Sequence, residues 1–589
     1  MRYCIIILFC CLVVNYTGAQ CFEYLSPMPH TAHHPLQTSI IVRPSGSVGA
    51  QVVLAAQQTT IRGSQSGVHT FKTIVADRGS VVVLKPDVPF APRETVTVQF
   101  SNWQNCAPLQ LEFTTVSNTR PLNDDLEIPA YNTPRNQPNI FDNIAYSMTE
   151  EAEKQSLFFT ISGIPSEINI LNENMEVLYS QSDASPLVAN LRRHPDSTIT
   201  YTPKFIGVGD EYHVALNANY QPTDTITCLD GYTTDFHDCT KLPNGNYLLI
   251  GVLDDTMDLS PYIALENPIR RVLSNIIQEI DPVQNVAVFT WRGIDYFSPL
   301  DSFGPGDDTL INTIPIVRLM HTNAAFYDTQ RNTILLSSRG MDEITQIARN
   351  TGNIVWRFGG KNNQFHFLND TLRFNYQHCV TRTPNGNLLL FDNHYYNGTQ
   401  SRAVEYSLDE NNMTATQVWE FKNPNPYISV VGGSAQRLPN GNTLISWGQQ
   451  AAPVTTPFLH EVTPNGNIAL TAWGKEGTAS TAYYVYRAYK FPWANATLQT
   501  QNGASSNTSL TLQCTPNPAS QNIQLHIQSP FTDNIHITLT DAYGKTHYQN
   551  TRYTSTTTYI AVQTLPAGIY FVTATTGAYT VTQRVLITH

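Results

Sequence analysis

At 589 residues the chain is long enough for several domains, each with a sizeable core. Only 14% of its residues are charged, and Thr, Tyr, Phe and Asn are plentiful among 36 prolines and 32 glycines, which suits turn-rich β structure rather than helices or disorder. The formal charge is −12, from 34 basic and 46 acidic residues without a concentrated basic stripe, and this argues against a nucleic-acid partner.

The chain opens on a predicted signal peptide, residues 1–19. Arg2 gives the basic start, Cys4 to Val14 the apolar run, and Thr17-Gly18-Ala19 the small-residue cleavage site. The run is too short to span a membrane, and no later stretch qualifies. Cys4, Cys10 and Cys11 leave with the signal, and export permits disulfides among Cys21, Cys106, Cys228, Cys239, Cys379 and Cys514. The candidate pairs are Cys21 with Cys106 and Cys228 with Cys239, although spacing alone does not fix connectivity.

Residues 20–117 alternate apolar and polar positions in short runs such as SVVVLKPDVPF and ETVTVQFSNW, predicting a small β-sandwich. A linker rich in Asn, Pro and Arg follows at 118–139. Residues 140–495 carry a repeat: Pro-Asn-Gly-Asn begins at Pro243, Pro384, Pro439 and Pro464, each followed by an apolar strand. Asn-Gly is the favoured centre of a two-residue hairpin because both positions must tolerate φ > 0. Repetition of whole hairpins predicts a β-propeller, with a second large sandwich or an irregular barrel as the competing architecture. A Ser-, Thr- and Asn-rich linker at 496–513 leads to a last β-rich segment, 514–589, which reads as a separate sandwich.

A histidine recurs at one offset from the repeated turn. His237 and His378 each lie seven residues before the Asn of a Pro-Asn-Gly-Asn turn, and His321 precedes a slightly longer polar turn. Equivalent strands of repeated units would bring the three imidazoles together. Residues two apart share a strand face, so Asn323 points with His321. A turn centred on Gln330 sets His321 opposite Arg339, and one centred on Asn385-Gly386 sets His378 opposite Asn393. Such a surface suits a tetrahedral oxyanion, because arginine offers a fixed fork of donors and imidazoles donate, accept or attack. No carboxylate pair stands out, which weakens a glycosidase reading.

Each of these residues has a plainer role when taken alone. A lone buried histidine is usually a structural hydrogen-bonder, and Arg339 has Asp342 and Glu343 nearby for ion pairs. Three histidines can also bind zinc, but an arginine on the same surface repels a dication. The matching repeat positions set the three apart. His394 and His366 read as surface or loop residues, and Cys379 as a packed thiol. His30, His33 and His34 read as a chance cluster, and Tyr483, Tyr484, Tyr486 and Tyr489 as a strand near the propeller's closure.

The runs HTNAAFYDTQRNTILLSSRGMDEITQIARNTGNIVWRFGG, QHCVTRTPNGNLLLFDN and SRAVEYSLDENNMTATQVWEF resemble the bacterial aryl-sulfate sulfotransferases, over roughly 132–495. The resemblance implies a six-bladed β-propeller preceded by a small sandwich. It also implies transfer of a sulfuryl group from a phenolic sulfate ester to a phenolic acceptor, by a ping-pong route through a sulfohistidine and without a nucleotide sulfate donor. The nucleophile would be His378 of the Gln-His element. His237, His321, Asn323 and Arg339 would bind and polarise the sulfuryl oxygens, and Asn393 of Phe-Asp-Asn is a further substrate-binding candidate. His237 or His321 would protonate the departing phenolate, and the sequence leaves that choice open. No P-loop is present, and no cofactor or metal is expected. The short stretch KNNQFHFLNDTLRFNY leaves acceptor specificity open.

The elements TPNPAS, LTDAYGK, LPAGIYFV and QRVLI resemble the type A sorting domain of the type IX secretion system, over 514–589. This implies passage through the periplasm to the cell surface or beyond. The expected partners are a phenolic sulfate donor, a phenol acceptor and the secretion machinery. The alternative function is a non-catalytic secreted propeller that binds sulfated polymers or partner proteins.

Overall fold

A computed structural model describes residues 21–588 except 47, 102, 104–108, 118–142, 163–165, 184, 186, 205–210, 264–267, 304–308, 312–313, 397–399, 451, 478–482, 494–510, 529–533, 542–544, 554–555 and 577–578. The signal peptide, the 118–139 linker, most of the 496–513 linker and Cys106 lie outside the described residues. The chain divides into two compact units, one ending at Ala496 and one beginning at Thr497. Both are built from β-strands, and Ala50–Gln57 is the one α-helix among the described residues.

Two sheets form the start of the first unit. One contains Phe22–Ser26, Ile40–Pro44, Val81–Pro86 and Phe71–Ala76; the other contains Thr31–His34, Leu109–Thr115, Thr95–Phe100, Thr60–Gly63 and Gly67–His69. Alternation is strict in Thr95–Phe100, where Val96, Val98 and Phe100 are buried. They share one core with Ile40, Val42, Val82 and Leu84 of the first sheet. The helix was not expected from the sequence. Its Val52, Ala55 and Ala56 join that core, and Leu54 faces outward.

This region is fastened to the rest of the unit by polar contacts. The Tyr24 hydroxyl donates to the Thr290 carbonyl at 2.6 Å, and Arg43 donates to the Arg349 and Asn350 carbonyls. His33, expected to be incidental, places Nδ1 2.5 Å from Asp255.

From Ile144 to Phe491 the strands form six larger, mainly antiparallel sheets among the described residues, with parallel additions at Ile314–Arg318 and His366–Leu368, and one two-stranded sheet of Ser429–Val431 and Gln449–Gln450. Leu187–Arg193, Thr233–Lys241, Thr322–Asp328, His378–Arg382, Ser434–Arg437 and Ala488–Phe491 touch in that order, and the last touches the first. The result is a propeller-like ring. It is closed at both chain ends: Ala488–Phe491 pairs with Ser156–Ile161 of the first sheet, and Ile144–Met148 pairs with Ile468–Gly474 of the sixth.

The repeated turn differs from the expected two-residue form. Leu242 N–H donates to Asn246 O, Gly245 N–H donates to Leu242 O, and of these loop residues only Gly245 has positive φ, at 92°. The loop is therefore three residues, Pro-Asn-Gly, with proline preset for the first turn position and glycine in the left-handed region. The register accordingly centres on the Asn: Thr240 faces Leu248, and Thr381 faces Leu389.

The closing Asn of the repeat fastens adjacent sheets. Asn246 and Asn442 donate to Glu279 and Glu461 at 2.7 Å, and Asn387 donates to Glu405 at 2.7 Å. Each glutamate also accepts from a cation on the following sheet of the ring: Arg349 for Glu279, Arg437 for Glu405 and Lys490 for Glu461. The fourth closing Asn, Asn467, is exposed and makes no such contact among the described residues; between two of the other sheets Arg382 donates to Gln346 Oε1 at 3.2 Å. Side chains of Glu279 and Glu461 are fully buried, so their charges depend on these donors.

The second unit has a sheet of Thr511–Thr515, Asn522–Gln528 and Thr556–Ala561, and another of Thr546–Tyr553, Asn534–Asp541, Gly568–Thr576 and Tyr579–Ile587. Ile523, Leu525, Ile537, Leu539, Val572 and Val585 form their common core.

Candidate active site

The three histidines come from innermost strands of consecutive sheets. His237 lies within Thr233–Lys241, His321 immediately precedes Thr322–Asp328, and His378 begins His378–Arg382. Several nearby residues hold left-handed backbone conformations: His321 (φ 50°), Asp342 (50°), Tyr376 (59°), Cys379 (51°) and His394 (53°). Non-glycine residues adopt this region at a cost, and such positions concentrate where side chains must be aimed.

His237 and His321 meet edge to face, with ring centroids 5.0 Å apart. Arg339 lies opposite His321, its N–H donating to the His321 carbonyl at 3.0 Å; the turn itself centres between Gln330 and Arg331, and a bulge between Thr322 and Ala324 restores the expected pairing. Arg339 Nη1 reaches His321 Nε2 at 3.4 Å, and Nη2 donates to the Tyr376 hydroxyl. The guanidinium also sits 3.9 Å from the Tyr376 ring centroid. Glu343 is bonded to Arg357 instead.

His378 is 1% exposed. Its Nδ1 lies 2.8 Å from Asn393 Oδ1, whereas its backbone partner is Phe391. The expected pairing with Asn393 missed the three-residue turn and a bulge between His378 and Thr381. Asn393 Nδ2 donates to the carbonyls of Ser429 (3.0 Å) and Gly432 (3.1 Å), so its oxygen is the atom turned to the imidazole. A carbonyl oxygen only accepts, which puts the proton of neutral His378 on Nδ1 and the lone pair on Nε2. Nε2 accepts from the Gly432 N–H at 3.3 Å. Burial, and then the charges of Arg339, His321 and His237, hold the His378 pKa well below the usual histidine value against the Asn393 hydrogen bond.

Asp235 was missed in the sequence, although its position two residues before His237 put it on the same strand face. Its Oδ1 lies 2.5 Å from His237 Nδ1. Burial alone would raise the Asp235 pKa, but the His237 charge and hydrogen bonds outweigh it and hold the carboxyl below its ordinary value. Tyr376 was missed as well. Its N–H donates to Asp342 at 2.6 Å, and burial raises Asp342 to about 7.

Both amides expected to bind substrate have protein partners. Asn323 Nδ2 donates to the Gln377 carbonyl at 2.8 Å, beside His378, and Asn393 is engaged as described. His394, expected at the surface or in a loop, follows its strand but is buried, with Nδ1 3.3 Å from Asp392. His366 is exposed. Cys379 is a buried free thiol. Cys228 and Cys239 are buried thiols not joined to each other, which corrects the pairing proposed for them: Cys228 Sγ points to the Ile250 carbonyl at 3.7 Å. Tyr486 packs beside His237, with centroids 6.2 Å apart. Asp238 joins Arg192 and Arg487 and accepts from Ala325 N–H at 3.1 Å, bracing several inner strands.

The sequence profile of the family described as Arylsulfotransferase (ASST) matches residues 181–487. A second profile, described as Secretion system C-terminal sorting domain, matches residues 514–588. No curated protein matches the chain. Solved structures similar to it include the beta-propeller domain of Myceliophteria thermophila Cps50 (Swd1), at 9% identity and TM-score 0.32, covering 55% of this chain and 88% of that one. Another is a putative 6-phosphogluconolactonase from Bacteroides fragilis, at 12% identity and TM-score 0.32, covering 59% and 100%.

Proposed function

The chain belongs to the arylsulfotransferase family, and we propose that it transfers a sulfuryl group between phenols through two displacements at His378. As a member it is a sulfotransferase with small phenolic substrates, and its sorting domain marks it for type IX export to the surface or beyond. Family membership displaces the reading as a non-catalytic binder. Six sheets in a closed succession support a six-bladed propeller, and the two sheets on one core at each end support flanking sandwiches.

The observation that carries the mechanism is the Asn393 contact, which leaves His378 Nε2 unprotonated. In the first displacement Nε2 gives up its hydrogen bond from Gly432 N–H and its lone pair forms a bond to sulfur while the sulfur–oxygen bond to the aryl group breaks. The departing phenolate takes a proton from a neighbouring imidazole. Asp235 favours His237 for that task, because a carboxylate on Nδ1 stabilises the imidazolium whose Nε2 proton is given away. His321 is less suited, since Arg339 only donates and therefore calls for an acceptor at His321 Nε2. Arg339 supports charge on the sulfuryl oxygens.

The positive charge on N-sulfonated His378 is shared with the Nδ1–H···Oδ1 hydrogen bond to Asn393. In the second displacement His237 removes the acceptor phenol's proton, the phenolic oxygen attacks sulfur, and the nitrogen–sulfur bond breaks. His378 recovers its lone pair and the acceptor leaves as its sulfate ester.

Incubation with p-nitrophenyl sulfate and phenol tests the reading. Nitrophenol release should accelerate with phenol, and quenched protein should contain a sulfonated peptide spanning His378. His378→Ala should lower transfer by about a thousandfold or more. Full activity in that variant would rule out the assignment.

A further inference from the structure

We propose that Tyr395 and Tyr396 form a shelf, joined to the sulfuryl site through Tyr376, that receives the second aromatic ring of a two-ring phenolic acceptor. The occupant's identity rests on the sulfuryl-transfer reading. Tyr395 and Tyr396 are 44% and 53% exposed, just beyond the strand Leu388–Asp392 that leads to Asn393. Single exposed aromatics are common on protein surfaces, so exposure alone assigns nothing. Here the rings have a fixed arrangement and a direction.

The segments carrying Tyr376 and Tyr395 are clamped together. Asn375 N–H donates to Asp392 Oδ1 at 3.1 Å, and His394 N–H donates to the Asn375 carbonyl at 3.1 Å. Tyr396 N–H donates to Asn375 Oδ1 at 3.3 Å. Asp392 is held in turn by buried Arg402, with Nε at 2.9 Å. On this base Tyr395 stacks on Tyr376 at 4.8 Å and 21°, and Tyr396 stands edge-on to Tyr376 and Tyr395 at 5.1 and 5.9 Å.

The Arg339 guanidinium lies against the same Tyr376 ring, two residues from His378. A row therefore runs from the group that supports the sulfuryl oxygens, through a half-buried ring, to two exposed rings. Rings held in place lose little conformational freedom when a flat ligand packs on them. An aryl ring matches them by area and by offset or edge-on stacking. Arg339 and Tyr395 cover the two faces of Tyr376, so the first ring, whose oxygen exchanges sulfate, belongs alongside the Arg339 guanidinium and the Tyr376 edge; the outer rings serve a second ring linked to it.

The test compares phenol with 4-phenylphenol as acceptors, using p-nitrophenyl sulfate as donor. Tyr395→Ala and Tyr396→Ala should lower kcat/KM for 4-phenylphenol by about five- to tenfold and leave phenol within about twofold. Tyr395→Phe and Tyr396→Phe should retain the preference, because the ring and not the hydroxyl is required. Equal losses on both acceptors, or no loss on either, would overturn the shelf. Should the unaltered protein transfer nothing to phenol, the sulfuryl reading is what fails. Equilibrium dialysis of 4-phenylphenol then decides the shelf: weaker binding in both alanine variants supports it, and an unchanged Kd overturns it.

Discussion

Asp235 lies two residues before His237, and its carboxylate holds the His237 Nδ1. Asp235→Asn should weaken the imidazolium and make departure of a poor leaving group slow. We expect phenyl sulfate turnover to fall about a hundredfold or more, and p-nitrophenyl sulfate turnover far less, because nitrophenolate leaves without a proton. Equal losses on the two donors would remove His237 as the acid. Asp342 gives a pH signature. Its folded value of about 7 exceeds the ordinary 3.8, so between those values the folded chain keeps a proton that the unfolded chain has lost. Stability contributed by this group therefore falls as pH rises from about 4 to about 7, by on the order of a few kcal/mol. Urea titrations should show Asp342→Asn gaining on the unaltered protein across that window; parallel curves would contradict the assignment. The expected pairing of His321 with Arg339 is met because both strands flank one local turn and a bulge between Thr322 and Ala324 offsets the turn's own register. It could not show that Asn323 and Asn393 are occupied within the protein, since their partners at Gln377, Ser429 and Gly432 come from other segments.

At the level of strands and turns, the repeat was legible as hairpins but not as fasteners between sheets. Pro-Asn-Gly sets a local bend, and that is visible in four residues. The Glu that accepts from the following Asn sits 18 to 33 residues away, and its cation lies on another sheet. The same limit explains the helix Ala50–Gln57, whose AQVVLAAQ carries no cap or strong amphipathic pattern and is held by tertiary packing. Lys490→Met tests the fasteners by leaving buried Glu461 without its cation. It should cost about 3–5 kcal/mol in urea unfolding. Lys154→Met breaks the solvent-exposed contact to Glu150 and should cost less than about 1 kcal/mol. Similar small losses in both would show that the buried pair does not fasten the ring.

Across the whole molecule, the division after Ala496 separates a unit containing every proposed catalytic group from one matched to a sorting domain. A chain ending at Ala496 should keep the specific transfer rate of the full protein within about twofold and lose export, measured as activity in purified protein and in culture medium. Ending it at Arg487 should abolish folding, since Ala488–Phe491 completes the first sheet. Retained activity in that shorter chain would contradict the closure.

That closure constrains the order of events during export. The first sheet needs a strand from near position 490, and the sixth borrows its outer strand from near position 144. A polypeptide emerging from a membrane with its amino end leading carries an incomplete first sheet until almost the entire ring has crossed. Its exposed edge is a target for wrong partners throughout that interval. Holding such a chain open, unpaired and soluble is thus a task for whatever receives it on the far side, and the ring closes only once the last strand has arrived.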